Sequence, residues 1–328
     1  MVTTIKVPSS LIFESSIEFA KELRKVQPCD EILFDFKNLN RIDPFSLLFV
    51  SSEIQRCRHY LEDVKFKAIN FEHCTYAAHM GFFQAFGLKH GKMPGEAKGG
   101  PTYIPIKIYD TDLIRQEAKN LMINPAELLE SEAKKIADVL TRHDNGNTNS
   151  VLTYCIREIF RNVIEHSQAE QFGFCAQYRP SLNRVSFAII DRGIGLKESL
   201  KNNPNLTLFD DKEAIRPSLK PAVSGKVYAG QKRKPKGEWA NSGYGLFMTS
   251  NICKKGGGFY IASGSTGYYL SEKNEKYLET PFEGTAVNLA INTTRIGELN
   301  AMLQEIDDTA INSKSKPSKS SLGLMNKQ

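Results

Sequence analysis

The sequence predicts two folded units, the first α/β and the second α+β. Three observations carry this. Strand-like and helix-like runs alternate through residues 1–90. A stretch rich in Gly, Pro and Lys then interrupts the pattern. From residue 150 the order becomes helix, strand, strand, long polar loop, helix, strand, strand. A chain of 328 residues with 41% hydrophobic and 24% charged content has the length of about two domains and the apolar material for their cores.

Residues 15–26 place Ile17, Phe19, Ala20, Leu23 and Val26 near helical spacing after the cap candidates Ser15 and Ser16. Glu31–Phe36 is a short β-type run. Pro44 suits a first helical turn and opens a helix over about Phe45–His59. Val64–Asn70 alternates as a strand should, and Thr75–Phe86 is a further helix. Residues 91–125 read as a linker and one strand, Tyr103–Tyr109, whose Pro belongs at a sheet edge. A helix over about Pro125–Arg142 ends before the breaker 145–149. The second unit spans 126–295. Residues 296–328 read as a short helix followed by a Ser/Lys-rich, disordered basic tail.

Charge argues against nucleic acid. The net +6 is concentrated in residues 212–236, with eight Lys/Arg against Glu213, and in 312–328, with four Lys and no acid. A nucleic-acid face expects its basic residues on a structured surface. The apolar runs are far shorter than the ~20 residues of a membrane span. Residues 1–20 lack a basic start followed by an apolar core, so no signal peptide is expected. The six scattered cysteines show no CxxC or zinc spacing and suit reduced thiols. The expected location is the cytoplasm.

Four segments of the second half carry chemistry. In the helix 151–166, Glu158, Asn162 and His166 are spaced four apart and share one face. Asn can offer a neutral oxygen to a divalent cation, and Glu can orient or deprotonate a nucleophile beside it. The plain alternative is a solvated helix face. The apolar strand Val185–Ile190 ends in Asp191-Arg192-Gly193-Ile194-Gly195, where an Asp can accept from an exocyclic amine and glycines admit a flat ligand. The alternative there is a tight turn with an exposed Asp. Asn241-Ser242-Gly243-Tyr244-Gly245-Leu246-Phe247 runs into a helix, and such a loop can present backbone N–H groups to phosphate. Glu283-Gly284-Thr285 opens a last strand, Ala286–Ile291.

In this order and spacing the four segments resemble the Bergerat-fold (GHKL) ATPases over about residues 130–295. The segment EIFRNVIEH is closest to the anti-sigma factor serine kinases. The resemblance implies an α/β sandwich, a mixed sheet covered by helices, with ATP and Mg²⁺ as cofactors. It implies Asn162 as the metal ligand, Asp191 as the acceptor for the adenine amine, and Gly193 and Gly195 shaping the adenine pocket. Gly243, Tyr244, Gly245 and Leu246 would lie at the phosphates with His166 nearby, Thr285 would support Asp191, and Glu158 would be the catalytic carboxylate. Residues 197–242 would form a long ATP lid.

The first unit, FDFKNLNRIDPFSLLF followed by VKFKAINFEHCTYAAHMGFFQAFGL, resembles STAS domains. There Asp43 fits the family's strand end, but Pro44 and Phe45 stand where a phosphoacceptor hydroxyl is expected, and Ser46 lies beyond. Residues 1–90 are therefore expected to regulate as a separate module by surface contact, with Phe45 either an apolar anchor for a partner or plain core. The functional expectation is an ATP-binding regulator that hydrolyses ATP or passes phosphate to a partner Ser/Thr. The alternative is a non-hydrolysing nucleotide-dependent interaction switch. Partners in view are a STAS-type or sigma-factor-like protein and a second copy in a homodimer.

Overall fold

Two parallel crossovers build the first unit. In the computed structural model, which describes residues 1–225 and 243–311, β1 (Val2–Lys6), β3 (Glu31–Asp35) and β5 (Lys65–Ile69) form a three-stranded parallel sheet in the order β1-β3-β5. The two-residue strands β2 (Ser10–Leu11) and β4 (Arg41–Ile42) pair beside it. The crossovers are α1 (Phe13–Arg24) and α2 (Pro44–Tyr60).

α1 starts two residues before the expected position, because Ser15 acts inside the first turn. Its hydroxyl accepts from the Ile12 N–H at 3.0 Å. α2 is capped by Asp43, whose Oδ1 accepts from the Ser46 N–H at 2.9 Å, with Pro44 at the first helical position. The expected helix 75–86 divides into α3 (Thr75–His79) and α4 (Phe82–Ala85) at Gly81, whose φ of 89° no α-helix continues through.

The second unit is a five-stranded sheet in the order β6-β7-β8-β10-β9: β6 (Tyr103–Asp110), β7 (Gln171–Arg179), β8 (Arg184–Asp191), β9 (Gly257–Ser271) and β10 (Glu275–Asn292). A mixed sheet was expected, yet every pairing in it is antiparallel. The connections explain this. β7 to β8 and β9 to β10 are joined by a few residues, which permits only antiparallel neighbours. β6 is an edge strand, and its register shifts between Ile104 and Lys107, around Pro105. Between β6 and β7 come α5 (Thr111–Asn120), α6 (Pro125–Leu140) and α7 (Asn147–Asn162). α8 (Gly195–Leu200), α9 (Asp211–Ser218) and α10 (Gly245–Gly256) lie between β8 and β9, and α11 (Leu299–Ile311) follows β10. α5 falls where only linker was expected.

Both faces of this sheet are covered, and side chains divide between them with the two-residue period of a strand. Phe187 and Ile189 of β8, Phe174 of β7 and Leu289 of β10 face the core made with α6, α7 and α10. Ala188, Ile190, Cys175, Ala262 and Ala286 face the opposite way, onto α1 and α2. Small residues on that second face let α2 approach closely, and the Cys175 thiol reaches the Pro44 carbonyl at 2.9 Å. The two units therefore share one core, in place of the separate module expected.

Phe45 is 1% exposed, between Phe13, Phe49 and Tyr260, so it is core and not a partner anchor. Ser46 is fully buried and bonded to the Ser16 hydroxyl at 2.6 Å. All six cysteines are free, and five are buried. No described helix is long and apolar enough to cross a membrane. The expected tail 312–328 and residues 226–242 of the expected lid lie outside the described residues.

Candidate nucleotide pocket

A pocket opens at the end of β8 against the last turns of α7 and the start of α10. It encloses about 790 Å³ of non-atom space, counting its mouth, within the range of small-molecule sites. Asn162, His166, Asp191, Gly195, Gly243, Gly245, Leu246 and Thr285 all line it. Its floor is apolar, from Ile159, Ile189, Ile261 and Val287.

α7 is buried nearly all round, so its polar residues are not a solvated face. Glu158 is 3% exposed. The helix then widens into a π-turn over Val163–Ser167, which carries His166 to the pocket and ends at Gln168 with φ of 55°. π-turns of this kind recur at functional sites. The Ser167 carbonyl accepts from the Ile194 N–H at 2.8 Å. A Cβ on Gly193 would stand 2.0 Å from that carbonyl oxygen, so the approach of the π-turn to the DRGIG loop demands glycine there. Gly193 is thus a packing requirement beside the pocket and not part of its lining.

Asp191 is 4% exposed, which rules out the exposed-turn reading. Burial pushes its carboxyl up to about 7, against the N–H groups of Gly193 and Thr285 and the charge of Arg192, which favour the anion. Its Oδ1 accepts from Gly193 at 2.9 Å. Thr285 stands directly opposite it across β8 and β10. Asn162 contributes an amide nitrogen that is buried with no hydrogen-bond partner among the described residues. A buried, unsatisfied N–H donor at a pocket wall is costly unless an acceptor on a ligand completes it.

α10 begins at Gly245 on the pocket edge. Tyr244 at its N-cap gives no side-chain cap, its first turn holds no acid, and Lys254 and Lys255 close its last turn. This polarity suits an anion at the N-terminus. The Tyr244 ring itself is fully buried in the core and not in the lining.

Glu158 lies behind the lining as well. Its Oε1 takes Arg157 Nη2 at 2.8 Å, Arg157 Nε at 3.1 Å and Arg161 Nη1 at 3.4 Å. Its Oε2 faces Gly245, where a Cβ would lie 2.2 Å away. The carboxylate is one helical turn from Asn162 and held by two buried arginines.

Three features escaped the sequence reading. Ser199 in α8, Ser218 at the end of α9 and Ser224 beyond it line the pocket, in a stretch where composition suggested only a loop. The apolar floor comes from strand residues whose facing depends on register. The arginine clamp on Glu158 could have been suspected from Arg157 and Arg161, but their burial could not.

No protein-family model matches the chain, and no curated protein matches it.

Proposed function

We propose that this pocket binds Mg·ATP, in a second unit of the Bergerat (GHKL) kind joined to a STAS-like first unit. One observation carries most of the reading: a buried carboxylate, Asp191, at the end of a central strand beside an apolar floor. Such a group suits an aromatic amine donor with a flat ring system behind it. Asn162 and the N-terminus of α10 also line the pocket: the Asn162 Oδ1 suits a cation, and its Nδ2 and the helix start suit phosphate oxygens. The residues therefore fit the group. Asn162 would hold Mg²⁺, Gly243 and Gly245 would face the phosphates, and Asp191 with Thr285 would face the base. Bound Mg²⁺ would neutralise phosphate charge.

Two outcomes follow for the phosphate. With Glu158 orienting the acceptor, the protein transfers phosphate to water or to a partner Ser/Thr. A second reading, a nucleotide switch without turnover, is favoured by the engagement of Glu158 Oε1 by three N–H groups. Pro44 and Phe45 occupy the position where a STAS-like unit would carry its phosphoacceptor, and the nearby Ser46 is buried, so residues 1–90 are expected to carry no phosphate after incubation with ATP.

The test is titration of the full chain with ATP in Mg²⁺ and in EDTA, with Asn162→Ala beside it. Wild type should bind more tightly in Mg²⁺, and Asn162→Ala should lose that difference. Equal binding by both proteins in both buffers contradicts the assignment. γ-labelled ATP then separates free phosphate, labelled protein and no turnover.

A further inference from the structure

The side of the pocket that carries Asp191 and Thr285 is held from the first unit. Arg192, next to Asp191, donates Nε and Nη2 to the Ser52 hydroxyl at 2.9 and 2.7 Å. Its Nη2 also meets Glu53 Oε1 at 2.8 Å, and its Nη1 meets the Glu283 carbonyl at 3.1 Å. The guanidinium lies 4.1 Å from the centre of the Phe282 ring, and Phe282 stacks on Phe49 of α2.

Glu53 is completely buried, and its Oε2 takes Arg24 Nε and Arg56 Nε, both at 3.2 Å. Glu283, two residues before Thr285, pairs with Arg24 at 3.0 Å and accepts from the Tyr60 hydroxyl at 3.0 Å. The end of β8, with Asp191, and the irregular stretch of β10 that leads to Thr285 thus meet at the pocket. Both are tied to α1 and α2 by a network of three arginines and two carboxylates.

A buried ion network is a weak source of net stability, because desolvation offsets its attraction. What it supplies here is a defined geometry between the end of β8 and the facing stretch of β10. We propose that Glu53 and Arg192 are positioning residues through which the first unit sets the placement of Asp191 and Thr285, and that filling the pocket in turn strengthens the docking of α2. The reciprocity is thermodynamic: if docking favours the ligand, the ligand favours docking by the same factor. The inference deepens the nucleotide reading and rests on it for one of its two readouts.

The experiment uses the full chain as wild type, Glu53→Gln and Ser52→Ala. Ser52→Ala removes two bonds of Arg192 without touching a charge, so it keeps the test open if Glu53→Gln misfolds. The first readout is amide hydrogen exchange without nucleotide at Gly193 and Thr285. Both variants should exchange faster there, with β7 unchanged. The second is the ratio of ATP to GTP affinity, which should fall about tenfold in Glu53→Gln, within the usual range of coupling factors. A merely structural role would speed exchange throughout the sheet and weaken both nucleotides alike.

Unchanged exchange at both amides, or a uniform change across the sheet, overturns the proposal. If wild type binds no nucleotide while the local exchange response appears, the nucleotide reading fails and the positioning role stands.

Discussion

Burial pushes the Asp191 carboxyl up to about 7, far above an exposed aspartate, and this sets the sign of its effect on stability. The unfolded chain ionises Asp191 near the ordinary aspartate value of 3.8, while the folded protein holds the proton to about 7. Between those values the folded state binds more protons, so stability falls as pH rises through that window. Asp191→Asn should therefore stabilise the ligand-free protein at pH 8 and leave it nearly unchanged at pH 4, as read by urea denaturation. Greater stability of wild type at pH 8 would remove the buried, unpaired anion from the account. Glu158 is a different case. Removing its carboxylate takes one partner from each of two buried guanidinium groups, although Arg161 keeps Glu165 at 3.1 Å and Arg157 keeps Glu130 at 3.7 Å, so the cost stays below the roughly 3–5 kcal/mol of a fully broken buried pair. Glu158→Ala should unfold at distinctly lower temperature, whereas Glu158→Gln should keep most of the fold. If Glu158 carries chemistry, Glu158→Gln should bind ATP within a few-fold of wild type and lose phosphate release or transfer. Turnover equal to wild type would leave Glu158 as an anchor for Arg157 and Arg161 alone.

At the scale of the element, α10 illustrates what a single methyl group does. A Cβ on Gly245 would stand 2.2 Å from Glu158 Oε2, at the turn where the helix begins. Gly245→Ala must push the carboxylate or the helix start aside. Calorimetry with ATP should show weaker binding, while the melting temperature falls less than in Glu158→Ala. Equal affinity would detach the start of α10 from the ligand. Most elements were legible in the sequence. Pro44 and Asp43 mark the start of α2, and β8 stands out as an unbroken apolar run. The run Val185–Ile190 also carried a message that periodicity alone did not decode. A strand apolar on both sides needs a cover on both faces. Its second cover, α1 and α2, lies more than a hundred residues away in the chain, and sequence spacing does not report such a pairing. The antiparallel order of the sheet was hidden for a related reason, since it depends on which strands meet and not on their composition. The pocket's principal residues were legible because Asn162, Asp191, Gly195, Gly243, Gly245 and Thr285 sit in short, ordered motifs. Ser199, Ser218 and Ser224 were not, having no pattern to distinguish them from loop residues.

For the whole molecule, the shared core changes what truncation should do. A chain starting at Pro101 loses α1 and α2 and exposes Ala188, Ile190, Tyr260, Ala262, Phe282 and Ala286 to water, a contiguous apolar face. It also loses Ser52, Glu53, Arg24 and Tyr60 from the pocket's support. Such a fragment is expected to bind a hydrophobic dye and to associate, in contrast to the full chain. A soluble, monomeric fragment binding ATP as the full chain does would restore the picture of independent modules. The central claim is that Asp191 reads an adenine base in this pocket. The most direct measurement is calorimetric titration of ADP with Mg²⁺ into the full chain and into Asp191→Asn, at pH 6 and pH 8. An aminopurine donor favours the ionised carboxylate, so wild-type affinity should rise roughly tenfold between the two pH values as Asp191 loses its proton near 7. The nucleotide's own phosphate titration is common to both proteins. Asp191→Asn should bind about ten- to a hundredfold more weakly at pH 8, the loss of one hydrogen bond to a charged group. It should also lack the extra rise with pH. Equal affinity and an equal pH profile in the two proteins would contradict the account.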